Sequence, residues 1–138
     1  DRPVQLNKKD GVITINLPNG DSYTGDIQNG KYHGQGEYFF KGQNLVYRGT
    51  FVEGRQHGQG VLSLASTSEA IYDGTWELGR KNGLGNYLYG LEEYYNGEWK
   101  NDEKEGNGFF SFQGGSYNGQ WTRNRAGGRG NLKLSDGT

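Results

Sequence analysis

Apolar and polar positions alternate with a period of two over short stretches of this chain, and the stretches recur. Tyr23, Tyr47, Tyr72, Tyr95 and Tyr117 stand 22 to 25 residues apart. Two residues after each comes a glycine (Gly25, Gly49, Gly74, Gly97, Gly119). Four after it comes a large apolar residue (Ile27, Phe51, Trp76, Trp99, Trp121). Offsets zero, two and four share one face of a strand. A second alternation follows in every unit. Glycines fill offset eleven (Gly34, Gly58, Gly83, Gly106, Gly128) and offset thirteen (Gly36, Gly60, Gly85, Gly108, Gly130). Apolar residues fill offset fifteen (Tyr38, Leu62, Tyr87, Phe110, Leu132) and offset seventeen (Phe40, Leu64, Tyr89, Phe112, Leu134). A short polar loop separates the two alternations, residues 28–33 in the first unit, so each unit predicts a β-hairpin.

Offset seven holds only Gly, Asp or Asn (Gly30, Gly54, Gly79, Asp102, Asn124), the residues that best tolerate a left-handed backbone. A left-handed turn residue is expected there. The glycines at offsets eleven and thirteen are expected where a neighbouring ring packs onto bare backbone. One hairpin is not stable alone, so stacking must bury a continuous aromatic stripe. The predicted fold is all-β: an elongated, twisted antiparallel sheet, or solenoid, of tandem hairpins without helices. A leading strand at residues 11–15, with Gly11, Ile13 and Ile15 in the last columns of an earlier unit, brings the count to about eleven strands spanning roughly 50 Å. The units are a partial one at 11–22 and full ones at 23–46, 47–71, 72–94, 95–116 and 117–138. Residues 135–138 resemble residues 19–22, which precede Tyr23. The chain is therefore expected to be a piece of a longer array, with exposed strand edges at both ends that allow end-to-end self-association.

Composition changes the picture in one respect. Only 30% of the 138 residues are hydrophobic, yet there are 26 Gly, 10 Tyr, 6 Phe and 3 Trp. Rings laid on glycine, not aliphatic side chains, must supply the buried area. A net charge of -1 gives no bulk attraction for nucleic acid. The absence of Cys excludes disulfides and thiolate metal sites. No apolar run approaches the ~18 residues that span a bilayer. A cytoplasmic location is the expectation.

The run Tyr-x-Gly-x-Trp-x-x-Gly-x-x-x-Gly-x-Gly, as at residues 72–85, resembles the MORN (membrane occupation and recognition nexus) repeat. The resemblance extends from Gly11 to the C-terminus. Ile27 departs from the aromatic column, and Asp102 and Asn124 depart from the glycine at offset seven. The resemblance implies an elongated twisted sheet. The family occurs in junctophilins, plant phosphatidylinositol phosphate kinases, a histone-lysine methyltransferase, and cytoskeletal and ciliary scaffolds. It implies a non-catalytic accessory module for protein contacts, or for lipid.

Candidate chemistry is sparse. His33 and His57 share a column, but the matching Asn82, Glu105 and Gly127 complete no ligand set, so no metal is expected. Asp102, Glu103 and Glu105 cluster in one loop without a facing acid partner. There is neither a Gly-x-Ser-x-Gly elbow nor a P-loop, so no enzyme and no cofactor are expected. Offset eight holds Lys31, Arg55, Arg80 and Arg125, with Glu103 the exception. With Lys81, Lys104, Arg123 and Arg129 these predict a cationic row along one edge, either an anionic phospholipid site or solvated loop charge. Phe39, Val61, Leu84, Leu88 and Phe109 lie between the columns and point to the opposite face. They are candidates for binding another protein (a helix, a peptide or a cytoskeletal component), unless curvature covers them. The connections at 41–46 and 65–71 are longer than that at 113–116, as suits an exposed edge that carries specificity. Trp76, Trp99 and Trp121 could stack on a carbohydrate, although their column is predicted buried. The first reading is a scaffold or protein-interaction array, part of a larger protein. Phospholipid binding is the alternative and carbohydrate binding the third.

Overall fold

The computed structural model describes residues 5–9 and 12–138. Twelve antiparallel strands follow one another in a single sheet, in chain order. They are β1 (Gln5–Lys9), β2 (Val12–Asn16), β3 (Ser22–Gln28), β4 (Lys31–Phe40), β5 (Leu45–Val52), β6 (Arg55–Leu64), β7 (Ala70–Glu77), β8 (Arg80–Gly90), β9 (Glu93–Lys100), β10 (Glu103–Phe112), β11 (Gly115–Thr122) and β12 (Arg125–Leu134). The strand beyond the expected eleven is β1, which pairs with β2. Gly11, expected in the leading strand, lies outside the described residues. Among the described residues the one helical element is a single 3-10 turn at Lys41–Gln43.

Three local devices repeat in each hairpin. The first is the turn, which has two residues and is tighter than the loop expected from the sequence. Both its central residues are left-handed: Asn29 and Gly30 at φ 53° and 77°, Leu78 and Gly79 at 51° and 84°, Asn101 and Asp102 at 50° and 70°. This is the type I′ turn, whose twist matches that of the flanking strands. The residue at offset six therefore shares the constraint foreseen only for offset seven.

The second device is a bulge. Gly25 pairs with Gly36 and Ile27 with Tyr32, so one residue, Asp26, faces three, His33, Gly34 and Gln35. Gly34 stands there at φ +69°. The expectation for offset eleven is thus corrected: that glycine serves a left-handed bulge and carries no ring. The third device is the glycine pair, Gly25 with Gly36 and its equivalents. Of the expected ring seats, the one at offset thirteen holds. A Cβ on Gly36 would stand 2.5 Å from Tyr23 Oη and 2.6 Å from its ring.

Each tyrosine lies across the glycine pair of its own hairpin and donates its hydroxyl to the carbonyl facing the bulge. Tyr23 reaches Asp26 O at 2.7 Å, Tyr47 reaches Thr50 O at 2.9 Å, and Tyr72 reaches Thr75 O at 3.0 Å. Successive units are tied by their rings. Tyr47 meets Phe51 and the next unit's Trp76 edge to face at 5.1 and 5.3 Å, and Tyr95 meets Trp99 and Trp121 at 5.2 and 5.3 Å. Such pairs contribute about 0.5–1.5 kcal/mol each beyond area burial. The indoles of Trp76, Trp99 and Trp121 each donate to the offset-thirteen glycine carbonyl of the preceding unit (Gly60, Gly85, Gly108), all at 3.1 Å. The core is therefore one layer of rings on one face of one sheet.

Candidate functional site

A two-residue turn fixes which side chains share the ring face. Offset nine pairs across the turn with offset four: Tyr32 with Ile27, Gln56 with Phe51, Lys81 with Trp76, Lys104 with Trp99. One bank of the ring face is thus formed by offset nine. The other is formed by offsets fifteen and seventeen, which the sequence placed with the buried set. These residues are half-exposed: Tyr38, Phe40, Leu62, Leu64, Tyr87, Phe110 and Phe112 are partly covered, and Tyr89 is 46% exposed. Neighbouring rings touch along the strip, Tyr38 with Phe40 at 4.6 Å, Tyr87 with Tyr89 at 4.6 Å and Tyr89 with Phe110 at 5.9 Å. Between the banks run the buried rings Tyr47, Tyr72 and Tyr95, with Phe51, Trp76 and Trp99. The result is a shallow aromatic trough that crosses the strands.

Electrostatics within the trough follow from burial. Burial pushes the Tyr23, Tyr47 and Tyr89 phenols up to about 12. Tyr72 and Tyr95 are raised further for the same reason, with nearby carboxylates adding to it. The Lys104 ammonium is lowered, by burial first and by the charge of Lys81 second. It donates to Tyr89 Oη at 2.7 Å.

The family model for the MORN repeat matches residues 23–44, 47–68, 72–90, 95–116 and 117–138. Each match opens on one of the five buried or half-buried tyrosines.

The chain belongs to the MORN repeat family.

Its relatives include MORN repeat-containing protein 3 of Xenopus laevis, 38% identical over 80 residues, which is 55% of this chain and 34% of that protein. Alsin of Homo sapiens is 33% identical over 118 residues, 79% of this chain and 7% of that protein; alsin of Mus musculus gives the same figures. The chain therefore spans about a third of the first relative and a small fraction of alsin.

The MORN geometry redistributes the residues singled out from the sequence. Phe39, Val61, Leu84, Leu88 and Phe109 do share the face opposite the rings, but not one row. Phe39 pairs with buried Val46, and Leu88 pairs with Tyr94, whose ring is 6.0 Å from that of Phe109. Val61 stands between Arg48 and Asp73, and Leu84, 67% exposed, faces Glu98. Two small apolar clusters and two isolated residues replace the expected line.

The cationic row also divides. Offset eight pairs with offset five (Lys31 with Gln28, Arg80 with Glu77), so it points away from the rings. Lys81 and Lys104, expected to thicken the row, turn onto the ring face. Lys31 pairs with Glu53 at 3.3 Å and Lys81 with Asp102 at 3.4 Å. Arg55, Arg80 and Arg125 are exposed and make no ion pair with a described carboxylate. Trp76, Trp99 and Trp121 are 5–6% exposed and leave no free face for a sugar.

His33 and His57 lie in the bulges. Among the described residues no three His, Cys, Asp or Glu side chains converge as a metal would require. The trough itself was missed. Had the turn been taken as two residues, simple counting would have set offset nine opposite offset four and revealed it.

Proposed function

We propose that this chain is a non-catalytic MORN module of a larger protein, and that it holds another protein along the trough on its ring face. One observation carries the reading. The strip from Tyr38 and Phe40 to Phe110 and Phe112 is apolar, aromatic-rich and half-exposed across four successive units, with a polar rim at the turns. Aromatic residues concentrate at protein interfaces because they combine large contact area with few rotatable bonds. A helix or an extended peptide laid across the strands would cover the strip without disturbing any glycine pair.

Two double variants test the reading in affinity capture by the intact chain. Tyr89→Ser/Phe112→Ser cuts the strip, and Phe39→Ser/Phe109→Ser alters the opposite face. With folding verified by thermal melts, the first variant is expected to lose its partner and the second to keep it. Undiminished capture by the first overturns the reading.

A second reading has its own observation. Leu78, 56% exposed, sits at a turn tip beside three cations, Arg55, Arg80 and Lys100, and one carboxylate, Glu77. An apolar tip flanked by cations suits a surface of anionic phospholipid. Sedimentation with vesicles that contain or lack anionic lipid decides this; equal recovery in both pellets removes it.

A further inference from the structure

The trough already holds cations in its later units. Lys81 Nζ stands 5.4 Å from the centre of the Tyr87 ring, 5.5 Å from Trp99 and 5.7 Å from Tyr72, and it pairs with Asp102 Oδ1 at 3.4 Å. Lys104 Nζ stands 5.0 Å from the Tyr89 ring and 5.4 Å from Trp121. Each ammonium is caged by rings and donates a hydrogen bond to an oxygen at the cage wall.

Two units earlier the same positions are Tyr32 and Gln56, and neither carries a charge. The walls remain: Tyr38 stands for Tyr87, Phe40 for Tyr89 and Phe51 for Trp99. They line a cavity of about 260 Å³, open on one side, closed by Tyr32, Gly54 and Gln56. A carboxylate stands behind its Tyr38 wall, outside the lining. Asp21 Oδ2 accepts from Tyr38 Oη at 2.8 Å, this bond holds the Asp21 carboxyl below its ordinary value, and the Tyr32 phenol is raised by burial first and by the Asp21 charge second. Neighbouring cations do not cancel it. Lys31 is paired with Glu53, and Lys41 meets Asp21 through its backbone N–H at 3.0 Å.

We propose that this pocket receives a lysine side chain of the partner protein beside Gln56, in the place that Lys104 holds two units on; the place of Lys81 is filled by Tyr32, stacked on Tyr23 at 4.0 Å. The inference rests on the partner lying on the ring face. Rings attract a cation through their quadrupoles, and the phenols of Tyr32 and Tyr38 in the lining call for a cation that retains N–H donors. A primary ammonium supplies these and a quaternary one does not.

The test is an NMR titration of the whole chain with Nα-acetyl-lysine N-methylamide, followed through the aromatic signals. The norleucine and trimethyllysine counterparts and choline serve as comparisons. The lysine compound is expected to shift Tyr32, Tyr38, Phe40 and Phe51, with norleucine roughly tenfold weaker and both quaternary compounds weaker than lysine. Gln56→Lys is expected to abolish the titration, because it supplies the chain's own ammonium as Lys104 does. The melting temperature of this variant reports that it folds.

Equal shifts with norleucine, or an undiminished titration of Gln56→Lys, overturn the proposal. Tighter binding of choline or trimethyllysine assigns the pocket to a quaternary cation and overturns it too. A flat titration beside a Tyr89→Ser/Phe112→Ser variant that loses its partner overturns this pocket alone and leaves the strip standing.

Discussion

Three glycines near one hairpin separate a glycine required by packing, one required by backbone conformation and one required by neither. A Cβ on Gly49 would stand 2.5 Å from Gln59 O, 2.5 Å from Gly60 Cα and 2.7 Å from Tyr47 Oη. Two of these atoms are backbone of the paired strand, so Gly49→Ala can be relieved only by parting β5 from β6. Overpacking of this kind costs about 1–3 kcal/mol. Displacing the ring also loosens the hydrogen bond from Tyr47 Oη to Thr50 O, 2.9 Å long, worth about 1 kcal/mol. The expected loss is therefore about 3 kcal/mol. Gly54→Ala meets nothing within 4 Å but stands at φ +86°, so only the left-handed backbone is penalised, by about 1 kcal/mol. Gly42 has neither a neighbour within 4 Å nor a positive φ, and alanine there stabilises by about 0.5 kcal/mol through the unfolded chain. Urea titrations followed by far-ultraviolet circular dichroism give the ranking directly. A Gly49→Ala midpoint no lower than that of Gly54→Ala would refute the claim that ring and strand close on bare backbone.

Other consequences of the geometry are open to simple measurement. Phe51→Trp places an indole where Trp76, Trp99 and Trp121 each donate to the preceding unit's glycine carbonyl; bonding to Gly36 O should raise stability by about 1 kcal/mol, seen as a higher melting temperature. Leu78 occupies the first left-handed turn position at φ 51°, so Leu78→Asn should stabilise by about 1 kcal/mol, while in the lipid reading it weakens vesicle binding. Tyr23, Tyr47 and Tyr89 are pushed up to about 12 from an ordinary 10.0. A phenol raised on folding stabilises fully below the unfolded value and loses that contribution as pH climbs to the folded one. The array should therefore hold to about pH 10 and unfold between about pH 10 and 12; ionisation of the fully buried Tyr23 or Tyr47 near pH 10 in the intact fold, followed through their own ring NMR signals, would contradict their burial.

What could be read from the chain and what could not divides along a physical line. Period-two spacing states which residues share a strand face, so the hairpins, the buried tyrosines and the ring seat at offset thirteen were legible. Offset seven was legible because residue type there is restricted by φ. Offset six was not, because the left-handed region is adopted there by Glu53, Leu78 and Arg123 under the force of the hairpin, and only Asn29 and Asn101 favour it by residue type. That hidden constraint fixes the turn at two residues. It sends Lys81 and Lys104 to the rings while Arg55 and Arg80 go to the other face. Offset eleven looked like offset thirteen because both are glycine. Only the register, with Asp26 facing three residues, distinguishes a bulge from a ring seat. Phe39, Val61, Leu84, Leu88 and Phe109 were rightly placed on one face, but they fall in three different columns, so alternation alone could not make them a continuous patch.

In a single-layer sheet the core and the binding surface are opposite margins of the same rings, and this has a consequence for how partners can be chosen. Turn, bulge and glycine pair consume offsets two, six, seven, eleven and thirteen, and the interlocking rings consume offsets zero and four. Offset nine takes part in none of these devices, and it is Tyr, Gln, Lys, Lys and Ala in successive units. Tyr32 stacks on Tyr23 at 4.0 Å, Lys81 and Lys104 bring charge over the rings, and Gln56 leaves the wall between Phe40 and Phe51 open. Under the proposed reading, offset nine is thus a ring-face position free to set what the trough accepts, while the glycines at offsets two, eleven and thirteen are the same in all five units. Exchanges at Gln56 should accordingly move ligand preference far more than melting temperature, whereas exchanges at Gly49 or Gly60 should do the reverse.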